Sequence, residues 1–147
     1  MANVIYRGPA KDEPETVSDK TVAGAYLPGI LVTESATAFT VATGSDIEKD
    51  LLILSNRAFY GQDVATAYAS GDTGVAYRPR PGEIYQARLA GATYAKGAPL
   101  TVGASGYLEA TSTSERVIAF FEGTAGAITA GTLNDVRIAN SFLTASA

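Results

Sequence analysis

Chemistry in a chain of this size would rest on a few side chains, and the carboxylates come first. Asp12, Glu13 and Glu15 form one acidic cluster and Asp46, Glu48 and Asp50 another. Paired carboxylates serve as acid and base across a scissile bond, or as ligands of a hard cation. Neither cluster has the D-x-[DN]-x-[DN]-G spacing of a calcium loop, and each lies in a polar stretch, so both read as solvated surface. Gly103-Ala104-Ser105-Gly106 and Gly123-Thr124-Ala125-Gly126 look like phosphate cradles, but no Gly-Lys-Ser/Thr follows and no long helix starts there. They read as turns. Hydroxyls are plentiful, yet nothing like G-x-S-x-G or S-x-x-K occurs in a strand-to-helix context.

Composition narrows the chemistry further. The chain has no histidine and no cysteine, which removes imidazole bases, His-dependent triads, the usual zinc sites and disulfides. No catalytic, cofactor or metal-binding residue is assigned, and the reading is of a non-enzyme. A formal net charge of −4 with no run of Lys or Arg lacks the basic stripe that neutralises phosphates, so nucleic acid is not expected as a partner. No stretch approaches the ~20 apolar residues that span a bilayer, and no signal-peptide pattern opens the chain; it reads as cytosolic when made, with no membrane partner.

Two groups of side chains could still bind something. Arg78 and Arg80, flanked by Pro79 and Pro81, form an exposed basic pair on a stiff loop, because neither proline can donate to a ladder. That pair is either a solubilising loop or a dock for an acidic patch. Tyr60, Tyr68, Tyr77, Tyr85 and Tyr94 could line a sugar-binding face, although at strand spacing tyrosines are more often core or subunit interface.

The elements that would position these groups are strands. A chain of 147 residues suits one domain, burying roughly 68–70% of its unfolded surface. From residue 83 to 110, strand-like patches alternate with glycine turns. Tyr85, Ala87 and Leu89 fall on one face of an extended segment and Ile84, Gln86 and Arg88 on the other. Pro99-Leu100-Thr101-Val102 and Tyr107-Leu108-Glu109 follow, joined by tight turns. Upstream, Leu51-Leu52-Ile53-Leu54 is the most apolar run and predicts a strand covered on both faces. Ser45 and Glu48 have the spacing of a capping box, enough for one helical turn. Downstream, 116–122 and 136–138 predict two more strands. Gly-containing turns at this spacing, without helical stretches between them, give an all-β domain of barrel or sandwich type over 21–147.

Residues 1–20 differ. Val4-Ile5-Tyr6 is a short apolar patch followed by Arg7 and a charged, proline-punctuated stretch. This reads as an extended N-terminal arm that orders only against a partner, since fixing each residue costs about 1–2 kcal/mol in backbone entropy.

Leu51-Leu-Ile-Leu-Ser-Asn56, Tyr60-Gly61, 67–72, Pro81-Gly-Glu-Ile-Tyr-Gln-Ala-Arg-Leu-Ala90, Lys96-Gly-Ala-Pro-Leu-Thr101 and Gly106-Tyr-Leu108, with 118–122 and 136–138 after them, resemble the capsid decoration, or cement, proteins of tailed bacteriophages. The resemblance runs over roughly residues 50 to 140 and is carried by turns and strands. It implies a compact β-barrel-like domain that forms homotrimers at threefold and quasi-threefold positions of the expanded icosahedral head. It also implies bridging of major capsid protein subunits on the outer surface of the virion, after synthesis in the host cytoplasm, with the arm lying along the shell. The acidic, Pro-containing arm and the Arg-Pro-Arg-Pro loop depart from the family pattern. On this reading the partner-binding candidates are Val4, Ile5, Tyr6, Arg7, Arg78 and Arg80. The alternatives are a carbohydrate-binding β module on the virion, or another virion subunit such as a tail-tube protein, for which the long ring-forming hairpin is not evident.

Overall fold

The computed structural model describes residues 4–47, 49–112 and 114–139. Over these the chain is all-β, with three single 3-10 turns and no longer helix. In chain order the strands are β1 (Tyr6–Gly8), β2 (Glu15–Val17), β3 (Thr21–Val22), β4 (Leu31–Glu34), β5 (Ala38–Val41), β6 (Leu52–Ser55), β7 (Val75–Arg78), β8 (Ile84–Arg88), β9 (Ala92–Tyr94), β10 (Pro99–Val102), β11 (Leu108–Ala110), β12 (Ala119–Phe121), β13 (Gly126–Ile128) and β14 (Leu133–Ile138). They form a first sheet of order β1-β8-β14-β12-β10-β11, a second of order β2-β7-β6-β4-β5-β3, and a ribbon of β13 with β9.

Between the barrel and the sandwich, the structure takes two open sheets and closes no barrel. Leu31 and Ile53 of the second sheet pack with Tyr85, Ala87, Leu100, Phe121 and Val136 of the first in one core. Val32, Leu52, Leu54 and Ala76 point the other way, into a smaller core capped by Val22, Ile30 and Tyr68. The central strand β6 is therefore buried on both faces, which explains its unbroken apolar run. Each such side chain contributes about 1.5–3 kcal/mol by leaving water.

The alternation in β8 holds, with Tyr85, Ala87 and Leu89 at 0% exposure. The expected succession of three strands is rearranged in space: β8 lies between β1 and β14, while β10 pairs with β11 and β12. The helical turn expected near Ser45 is Gly44–Asp46, and the reciprocal contact is made by Thr43, whose backbone N–H donates to the Asp46 carboxylate at 2.9 Å. Glu48 lies outside the described residues.

The N-terminal stretch supplies an edge strand to each sheet. β1 pairs with β8, and the Gln86 N–H donates to the Ile5 carbonyl at 2.7 Å; β2 pairs with β7 in the register Glu15 opposite Arg78. Ile5 is 1% exposed. Within the expected arm, residues 4–17 are thus ordered against the chain's own sheets. Ladder bonds and the burial of Ile5 offset an entropy cost that a three-residue apolar patch alone would not cover.

Candidate interaction surfaces

The Arg-Pro-Arg-Pro loop closes the end of the molecule where β7 stops. Arg78, its last strand residue, reaches three carboxylates: Nη1 is 2.8 Å from Glu15, Nε is 2.8 Å from Asp50, and Nη2 contacts Glu34. Hydrogen bonds to Glu15 and then Asp50 hold its pKa above the ordinary arginine value. Arg80 is tied to Glu83, through its backbone N–H at 2.7 Å and its Nη2 at 2.9 Å, and also donates to the Glu13 carbonyl. Glu83 is 4% exposed and accepts from the Tyr85 hydroxyl at 2.9 Å as well. A recess of about 360 Å³ lies beside this network, lined by Arg78, Arg80 and Arg116 together with Glu15 and Asp50. Arg78 and Arg80 face carboxylates of the same chain, and Arg116 donates to the Ile47 carbonyl at 3.1 Å. Of the two arginines read as a docking pair, Arg80 is the more open, at 48% side-chain exposure against 31% for Arg78.

The N-terminal candidates are divided by the pleat. Ile5 faces the core. Tyr6 stacks edge-on against Tyr85 with ring centroids 5.3 Å apart, and its hydroxyl donates to the Pro9 carbonyl at 2.7 Å. Arg7 is exposed and lies 3.5 Å from Asp135. Val4 is half exposed, in a recess it shares with Ala58 and Tyr77. Pro9 and Asp12 adjoin Arg80 and Gly82, so the stretch that follows Arg7 and the Arg-Pro loop meet, while Val4 shares its recess with Pro14 of that stretch.

The tyrosines do not make a sugar-binding face. Tyr68, Tyr85 and Tyr94 are between 0% and 2% exposed, in the two cores. Burial pushes the pKa of each above the ordinary phenol value. Tyr77 is partly buried against Tyr6 and Tyr85. Tyr60 alone of the five is open to solvent, at 74%, beside Phe59 at 75%. Both project from the 3-10 turn Ala58–Tyr60, which Gly61 closes in the left-handed conformation. Arg57 braces them: its guanidinium lies 5.2 Å from the Tyr60 ring centroid and 4.9 Å from that of Tyr68, and pairs with Asp72 at 2.9 Å. The sequence shows 55–61 only as a turn; two adjacent aromatics inside a turn were the available signal.

The remaining polar groups have structural tasks. Arg88, on the outer side of the β8 alternation, is nonetheless 8% exposed. It donates to the carbonyls of Pro28 at 2.7 Å, Gly131 at 2.6 Å and Val64 at 2.5 Å, joining three loops, and burial lowers its pKa. Asp46 pairs with Lys49 at 2.7 Å, and hydrogen bonds from Lys49 and Thr43 lower its pKa. Among the described residues no group of three His, Cys, Asp or Glu side chains is placed to hold a metal ion, and none of their helices is long and apolar enough to cross a membrane.

No protein-family model matches the chain, and no curated protein matches it. Among solved structures, the chain is similar to the N base of the head fiber protein gp8.5 of bacteriophage phi29, with a TM-score of 0.59 and 18% identity over 88% of this chain and 99% of that one. At that identity the likeness establishes a shared fold.

Proposed function

We propose that this protein is a structural component of a tailed-phage head, held on the outer surface of the expanded capsid by contacts with the major capsid protein and with copies of itself as a homotrimer. The observation that carries this reading is the fold. Nearly the whole of a domain described as the base of a head fiber superposes on 88% of this chain, and the turn-and-strand series of residues 50 to 140 independently resembles head decoration proteins. Within the two acidic clusters, Glu15 and Asp50 are engaged by Arg78 and Asp46 by Lys49, which supports a structural task for these three carboxylates. Binding is then a matter of surface. Several copies on one symmetric site gain affinity by ~10²–10⁴ when they engage together. Contacts present only in the expanded shell stabilise that state by mass action.

The likeness to a fiber base favours one variant of the reading, in which the domain anchors an appendage on the head as well as covering it. The carbohydrate-binding alternative loses its motivation, because three of its five tyrosines are core residues. Cosedimentation of the full chain with expanded empty heads of its phage tests the proposal: saturable attachment supports it, and a chain left in the supernatant at every concentration refutes it.

A further inference from the structure

The recess beside Arg78 has an apolar wall that the ion pairs do not account for. Leu51, Val117, Ile118 and Ile138 line it together with the arginines. Leu51, Ile118 and Ile138 are each 8% exposed, the most of any residue in the buried core. What the core still shows to solvent is thus concentrated at this one place. Such a wall gains by being covered with apolar groups.

The chain itself arrives here. Ala139, the last of the described residues, also lines the recess. Its N–H donates to the Ile118 carbonyl at 2.9 Å, and the Ile138 N–H donates to the Glu83 carbonyl at 2.9 Å. The backbone is therefore pinned to the wall where it continues into Asn140-Ser141-Phe142-Leu143. Residues 140–147 lie outside the described residues. They have no charged side chain, and Phe142 and Leu143 are their two large apolar groups. An extended chain advances at most about 3.3–3.6 Å per residue, which keeps Phe142 within about 11 Å of Ala139 on any path.

Volume, chemistry and tethering all favour this occupant. A cavity of about 150 Å³ holds a benzene molecule, so the recess of about 360 Å³ takes a phenylalanine ring with a leucine side chain beside it. Arg116 lines the same space, and an arginine against an aromatic ring adds a cation–π attraction to the contact with the aliphatic wall. A segment tethered this closely meets the recess at an effective concentration on the order of millimolar, which a separate peptide or a second copy has to exceed. An acidic partner is the poorer fit, because Arg78 and Arg80 are already engaged by Glu15, Asp50 and Glu83.

We propose that residues 140–143 turn back over this recess and seat Phe142 against Leu51, Val117, Ile118 and the Arg116 guanidinium of the same chain. Glu15 of β2 lines the recess as well, so β2 and the segment that follows β14 are fastened at one place, around Arg78. The recess is then withdrawn from outside partners. The inference stands apart from the head-attachment reading and limits it in one respect: contacts with a capsid are made outside this recess.

The test is methyl NMR spectroscopy of the full chain in solution, without capsids, comparing wild type with Phe142→Ala and Phe142→Leu. In wild type, nuclear Overhauser effects are expected between the Phe142 ring protons and the methyl groups of Val117 and Ile118. Phe142→Ala is expected to move the methyl resonances of Leu51, Val117, Ile118 and Ile138, to leave those of Val22 and Leu54 in the smaller core in place, and to speed exchange of the Ala139 amide at least tenfold. Phe142→Leu loses the ring-current part of the shifts and keeps most of the exchange protection. A wild type without these effects, or a Phe142→Ala spectrum that matches wild type at the four recess residues, overturns the inference. So do effects seen only between differently labelled copies in a mixed sample, which assign the recess to a neighbour's segment. Own-chain contacts in a protein that ignores expanded heads uphold the inference and defeat the head-attachment reading, so the two fail separately.

Discussion

Arg78 and Glu15, 63 residues apart in the chain, meet at 2.8 Å across the β2–β7 pair. The same guanidinium holds Asp50 and Glu34, so one cation fastens the N-terminal stretch, the β4 end and the loop before β6. Arg78→Ala leaves three carboxylates facing one another. With the side chain about a third exposed, the expected loss is about 1 kcal/mol in urea denaturation. Amide exchange should accelerate locally in β2. Arg78→Lys recovers only part of the loss, since an ammonium lacks the planar fork that serves three partners. Unchanged exchange at Thr16 and Val17 in the alanine variant would show that the cation does not hold β2.

The N-terminal stretch is integral to the fold through Ile5. Ile5→Ala removes a side chain that is 1% exposed and is expected to cost about 2–5 kcal/mol. Deleting residues 1–17 removes both edge strands along with it and should destabilise the domain further. Equal denaturation midpoints for wild type and Ile5→Ala would contradict the docking of β1.

Alkaline pH provides a third test. Burial, together with the hydrogen bond to Glu83, raises the folded-state pKa of Tyr85 above that of the unfolded chain. The folded state therefore keeps a proton that the unfolded state gives up. The resulting stabilisation is complete below about pH 10 and is lost as pH rises above it. Tyr85→Phe is expected to cost about 1.5–3 kcal/mol at pH 7, because it removes a donor from a buried carboxylate. The variant should also lose less stability than wild type between pH 9 and pH 11. Parallel pH profiles for the two proteins would refute this role of the hydroxyl.

Two glycines separate conformational cost from steric cost. Both Gly82 and Gly106 have positive φ, +87° and +73°. A Cβ at Gly82 would meet nothing within 4 Å, whereas one at Gly106 would lie 2.6 Å from the Leu31 carbonyl oxygen. Gly82→Ala should cost about 1–2 kcal/mol. Gly106→Ala adds overpacking of about 1–3 kcal/mol to the same strain. Thermal or urea denaturation of the two variants side by side checks the order, and equal losses would contradict the close approach of the Gly106 turn to β4.

What could be read in the sequence was what neighbouring residues determine. The apolar run at Leu51 to Leu54 predicted a strand buried on both faces, and the period of two through Tyr85, Ala87 and Leu89 predicted the core face of β8. Contacts between distant residues were not readable. Arg78 read as a free cation because Asp50, Glu34 and Glu15 lie 28 to 63 residues away, whereas the partner of Arg80, Glu83, is only three residues on and was within reach of the sequence. The N-terminal stretch read as an arm because a strand edge able to receive it leaves no mark on the stretch itself. Arg88 occupies the polar side of an alternating pattern, yet three backbone carbonyls from separate loops allow its burial. The tyrosines were correctly read as more often core than binding face, but no local pattern distinguished Tyr60, whose exposure depends on a turn braced from Arg57 and Gln62.

That this protein is a fixture of a phage head is tested most directly by sedimenting the purified chain with expanded empty heads of its phage and measuring the bound fraction against concentration. Saturation at a fixed number of copies per head, in multiples of three, is the predicted result. A chain that remains wholly in the supernatant while its own fold is intact would contradict it.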